Sequence, residues 1–115
     1  MLKVYGTKLC PDCIAFEASF KKYGIDYQFV NIFESMPKFK EFLRLRDQNP
    51  AFAEAREAGN AGIPAIIEAD GSVNLDWEGY LKERGFEPIW PKEADEQMAK
   101  IQAEKDACAI DQAGC

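Results

Sequence analysis

A strand-like run, Leu2 to Tyr5, stops at Gly6-Thr7, and soon after it the apolar spacing turns helical: from Pro11 onward, Cys13, Phe16, Phe20 and Tyr23 follow an i, i+3, i+4 rhythm, with Gly24 as a C-terminal stop. This strand-to-helix junction constrains the fold more than any other feature. A helix that leaves a short strand returns the chain to a parallel neighbour by a right-handed crossover, and the next strand-like run, Tyr27 to Ile32, supplies that neighbour. Pro11 suits the first helical turn because it has no amide hydrogen to leave unpaired. Cys10 then falls at the helix N-cap and Cys13 one turn inside, so the junction carries two thiols, Cys10-Pro11-Asp12-Cys13.

Downstream, Ser35-Met36-Pro37 is a second cap-and-proline start, for a helix with Phe39, Phe42 and Leu43 on one face. Asn49-Pro50 breaks it and begins a shorter helix that ends at Gly59, so the crossover comes in two pieces. Ala65 to Ala69 and Ser72 to Leu75 flank Asp70-Gly71, which predicts a hairpin with a two-residue type I′ turn. Asp76 is placed to cap a last core helix, with Gly85 as its stop. The order is β-α-β-(split α)-β-β-α, an α/β fold with a mixed sheet of four strands. Beyond Gly85 the composition changes to a proline-flanked link and a weakly amphipathic helix. The chain therefore divides into a domain over residues 1–85 and a C-terminal helical tail over 86–115, which carries Cys108 and Cys115.

Composition narrows the chemistry. The 115 residues include four cysteines and no histidine, so Cys-His and Ser-His nucleophilic pairs and His-containing zinc sites are excluded. A net charge of -6 disfavours nucleic acid, whose phosphates need clustered Lys and Arg. No apolar run approaches the ~20 residues of a membrane helix, and the N-terminus lacks the charged and apolar regions of a secretory signal. A cytoplasmic, monomeric protein is expected. In a reducing compartment cysteines point to metal binding or redox chemistry rather than to structural bridges. Without histidine, a helix terminus or a nearby cation must activate any thiolate. The Cys-x-x-Cys spacing alone is compatible with half a zinc site or with a redox pair.

The Cys-Pro-x-Cys at a strand-to-helix junction, together with Ile63-Pro64 directly before a hairpin, resembles the glutaredoxins of the thioredoxin fold over residues 1–85. The stretches YGTKLCPDC, RDQNP and LDWEGYL further resemble a group of bacterial glutaredoxin-related proteins. The resemblance implies a thiol-disulfide oxidoreductase acting on protein or small-molecule disulfides, with no tightly bound cofactor or metal. Cys10 is then the attacking thiol and Cys13 the resolving one. The resemblance also implies a cis Pro64 against the thiols, and a backbone at Ile63 that pairs with an extended substrate segment. Lys8 is a candidate cation for the thiolate, and Asp12 a candidate acid that makes the pair more reducing. Glutathione is a possible co-substrate, but glutathione-dependent members carry a glycine pair before the last helix, where this chain reads NLDWEGYL. Deglutathionylation, a zinc or iron-sulfur carrier and a redox-sensing regulator are the alternatives. Cys108 and Cys115 are a candidate second redox pair, with zinc shared by all four cysteines as the competing reading.

Overall fold

The structure, a computed structural model, describes residues 1–107. Strand β1 (Leu2–Gly6) lies at the centre of its sheet, with β2 (Tyr27–Asn31) parallel on one side and β3 (Ala65–Ile67) antiparallel on the other. Strand β4 (Val73–Asn74) completes the order β2-β1-β3-β4. Helix α1 (Pro11–Lys22) joins β1 to β2. From β2 to β3 the chain runs through α2 (Met36–Gln48), a 3-10 turn (Pro50–Phe52) and α3 (Ala53–Ala58). Helices α4 (Trp77–Glu83) and α5 (Lys92–Ala107) follow the hairpin. This is the mixed four-stranded α/β arrangement expected for the thioredoxin and glutaredoxin fold.

Alternation along the strands sorts the core into two layers. Val4 and Ile66 face Phe16, Phe20, Tyr80 and Leu81 on the side of α1 and α4. Their neighbours Tyr5 and Ala65 face Phe42 and Phe52 on the side of α2 and the 3-10 turn. Phe16, Phe20 and Phe52 are wholly buried, each removal from water contributing about 1.5–3 kcal/mol. The helix starts use the signals read from sequence. Ser35 Oγ accepts from Lys38 N, Asn49 Oδ1 from Ala51 N, and Asp76 Oδ1 from Gly79 N.

The hairpin differs from expectation. Just beyond the paired strands Glu68 N donates to Ser72 O at 2.9 Å, and the loop inside that bond holds three residues rather than two. Gly71 N closes a turn on Glu68 O, and only Gly71 takes positive φ (+87°), whereas a type I′ turn needs it at both central residues. Asp70 spends its carboxylate on Ser72, accepting from the amide at 2.9 Å and the hydroxyl at 2.7 Å, and keeps an ordinary φ.

The segment after Gly85 lies against α1. Ala94 is fully buried in the same core layer as Phe16, and the Tyr23 and Phe86 rings stack at 4.4 Å. Buried Ser19 makes the polar attachment: its Oγ accepts from Ile89 N at 2.8 Å and donates to Ala15 O at 2.8 Å. Cys108 and Cys115 lie outside the described residues. Among the described residues no helix is long and apolar enough to cross a membrane.

Ser19→Ala leaves the Ile89 amide without its acceptor, which costs about 1–3 kcal/mol when the group stays buried. The urea midpoint of the variant is expected to fall with an unchanged slope, the product of shift and slope matching that energy. An unmoved midpoint would show that the 86–90 link is not fastened through this bond.

Candidate active site

The loop between β1 and α1 is shaped by Thr7, whose carbonyl accepts from Cys10 N at 3.2 Å and whose buried hydroxyl accepts from Leu9 N at 3.3 Å. This delivers Cys10 to the N-cap of α1 in extended conformation, with Pro11 at the first helical position. The first amides of a helix have no carbonyl partner inside it. Those of Asp12 and Cys13 act here on the Cys10 sulfur.

Cys10 is partly exposed and Cys13 is 1% exposed; both are free thiols. Cys10 is lowered from the ordinary thiol value to about 7, first by the hydrogen bond from the Cys13 side chain. Burial works against it, the Cys13 amide works for it, the Asp12 charge works against it, and the Asp12 amide adds a last favourable contact. Cys13 is pushed far upward by its bond to Cys10, by burial and by the Cys10 charge. Together these causes favour the thiolate at Cys10 and the protonated thiol at Cys13. The amides of the helix terminus, one of the two activators the sequence offered, contribute after the second cysteine. Lys8 is exposed in the loop before Cys10.

Two glycines make room for this arrangement. A Cβ on Gly6 would stand 2.8 Å from Cys13 Sγ, so the end of β1 must be bare for the second sulfur to lie beneath the first. Gly62 has φ +85°, and a Cβ there would stand 2.7 Å from the Phe52 ring. Only glycine suits that turn into Ile63-Pro64. The Ile63–Pro64 bond is cis, Pro64 is fully buried, and Ile63 O lies 3.9 Å from Cys10 Sγ, which donates to it in the protonated form.

Cys10, Asp12 and Ile63 border a groove of about 810 Å³. Its walls are mostly apolar, with Leu9 and Phe33, both more than half exposed, and Ala55 and Ala58 from α3. Ile101 of α5 closes one side, and Gln97 Nε2 holds the loop by donating to Leu9 O at 3.0 Å. Gly6, Gln97 and Ile101 escaped sequence reasoning. Only the glycine ending a strand next to a Cys-x-x-Cys offered a signal for the first, and nothing in a weakly amphipathic tail pointed to the others. Among the described residues no group of three or more Cys, Asp or Glu side chains is placed to hold a metal ion.

Residues 2–67 match the family model described as Glutaredoxin. A curated relative, an uncharacterized protein from Haemophilus influenzae, is 38% identical over 73 residues, which is 64% of this chain and 85% of the relative. No solved structure matches the chain at comparable stringency.

Because the Cys13 thiol is the chief support of the Cys10 thiolate, Cys13→Ala should raise the alkylation midpoint of Cys10 from about 7 toward the ~8.5 of a free cysteine. Cys13→Ser keeps a donor and should move it less. Iodoacetamide labelling rates against pH, read at Cys10 by mass spectrometry, give both values. Equal midpoints in all three proteins would remove the sulfur-to-sulfur bond as the cause.

Proposed function

The chain belongs to the glutaredoxin family, and from that membership we propose that it is a dithiol oxidoreductase that reduces disulfides presented in an extended segment of a protein. The observation that carries this reading is the pairing of a partly exposed Cys10, ionised near neutral pH, with a buried Cys13 that keeps its proton.

The cycle follows from the two proton affinities. The Cys10 thiolate attacks one sulfur of the substrate disulfide, forming the Cys10–substrate bond and expelling the other substrate sulfur as a thiolate. Once Cys10 is bonded, its negative charge is gone, and with it the hydrogen bond and the repulsion that held the Cys13 proton in place. Cys13 then loses that proton to the departing thiolate and attacks Cys10 Sγ. The second substrate thiolate leaves, takes up a proton from water, and a Cys10–Cys13 disulfide remains. An external thiol reductant returns two electrons and two protons, one proton to Cys13 and one to the water, to close the cycle. Burial keeps Cys13 from competing for the substrate, and the Gly6 gap keeps it within reach of Cys10.

Substrate selection is the task of the groove. Ile63 presents its carbonyl toward Cys10, and backbone pairing beside it would align an incoming segment while the apolar walls take up its side chains. Asp12 and Glu54 are the charged residues of that lining. Glutathione carries two carboxylates, so a protein disulfide is the better match to this surface.

With a protein disulfide such as that of insulin, Cys10→Ser is expected to reduce turnover to the uncatalysed rate, whereas Cys13→Ser is expected to stop after the first step and accumulate a mixed disulfide at Cys10. Peptide mapping of the trapped adduct decides the matter. An adduct at Cys13, or turnover by Cys10→Ser, would reverse the roles, and faster turnover of a glutathione mixed disulfide than of insulin would transfer the reading to deglutathionylation.

A further inference from the structure

Asp12 is the member of the Cys-Pro-Asp-Cys motif that the cycle leaves without a task. Its carboxylate stands in the first turn of α1, beside the sulfur that must carry negative charge, and its field opposes that charge. Yet it does not stand free. Trp77 Nε1 donates to Asp12 Oδ1 at 3.2 Å, a contact made between residues 65 positions apart.

The indole is held firmly enough to act as a fixed donor. Trp77 is the first residue of α4, directly after the Asp76 cap, and is only 3% exposed. Its ring lies against that of Trp90, with centroids 5.6 Å apart, and Trp90 Nε1 donates in turn to Glu78 Oε2 at 3.4 Å. An indole N–H is a donor only. It therefore favours a carboxylate at this spot and has nothing to offer as an acceptor. A hydrogen bond to an ionised oxygen is stronger than one between neutral groups, and it takes up part of the charge that the carboxylate would otherwise direct at its surroundings.

We propose that Trp77 is a positioning residue for the redox pair: through Asp12 Oδ1 its indole N–H fixes the carboxylate and draws its charge away from the Cys10 sulfur. The motif acid is thereby kept beside the thiols at reduced cost to the thiolate. This inference rests on the reading of Cys10 as the attacking thiol, and its test is separable from the test of that reading.

The other charged groups around the contact are Asp76 and Glu78 on the α4 side, Glu54 across the groove and exposed Lys8 in the preceding loop. All four stay in place in the variants that follow. In the full chain, Trp77→Phe is expected to raise the Cys10 alkylation midpoint by about half a pH unit, a roughly threefold loss of rate below the midpoint. The reduction potential of the pair should become more negative, because the reduced form loses part of its stabilisation. Asp12→Asn should shift both in the opposite sense. In the Asp12→Asn background the Trp77→Phe change should move neither, since the carboxylate through which Trp77 acts is gone. Replacement of Trp77 by 3-benzothienylalanine, which keeps the ring shape and lacks the N–H, repeats the test should the phenylalanine variant fail to fold. A purely structural role predicts lower thermal stability with an unmoved midpoint. That outcome, or an equal shift in both backgrounds, overturns the proposal, whereas a Cys10 that never labels would instead defeat the underlying assignment.

Discussion

Cys13 Sγ occupies the space that a side chain on Gly6 would fill, and much of the molecule is arranged around that substitution of sulfur for carbon. The strand must end bare so that the first turn of α1 can settle onto it, and that turn in turn determines where Cys10 emerges. Neighbouring Phe29 also stands close, 3.2 Å from the same point, so the gap has little slack to be shared. Steric exclusion at one backbone position thus becomes a statement about acidity. The buried thiol is near enough to the surface thiol to lend it a proton, and too enclosed to ionise in its own right.

The pleat of β1 distributes the consequences. Val4 and Tyr5 point into different layers, and each layer recruits its own helices. One layer contains α1 and backs the sulfurs. The other contains the 3-10 turn and Phe52, whose ring excludes any side chain at Gly62 and so shapes the approach to Ile63-Pro64. The two walls of the site are therefore supported from opposite faces of a single sheet, and neither face alone determines the distance between Cys10 and Ile63 O.

What could be read from sequence was what depends on near neighbours. The caps at Ser35, Asn49 and Asp76 need only a side chain within three residues of an unpaired amide, and the Cys10–Cys13 spacing needs only a helical turn. The hairpin was misread because Asp70-Gly71 is also compatible with a longer loop, and the choice was made by a bond from Ser72 that composition does not advertise. The order of causes acting on Cys10 was hidden for a related reason. A helix terminus is visible in a sequence, whereas the orientation of one S–H toward another sulfur follows from packing. Contacts such as Trp77 to Asp12 and Gln97 to Leu9 join residues 65 and 88 positions apart, and no periodicity reports them.

Ile101 and Gln97 come from a helix beyond the stretch that matches the family model, yet Ile101 borders the same groove as Cys10 and Gln97 bonds the Leu9 carbonyl in the loop before it. The sulfur pair and one wall of the groove beside it thereby come from different parts of the chain. Exchange of Ile101 would remodel the surface beside the sulfur while the strand, the glycine gap and Pro64 stay as they are. A fold built in this way can vary one wall of the groove through a single partly exposed position of α5, while Ala94 keeps that helix seated in the core.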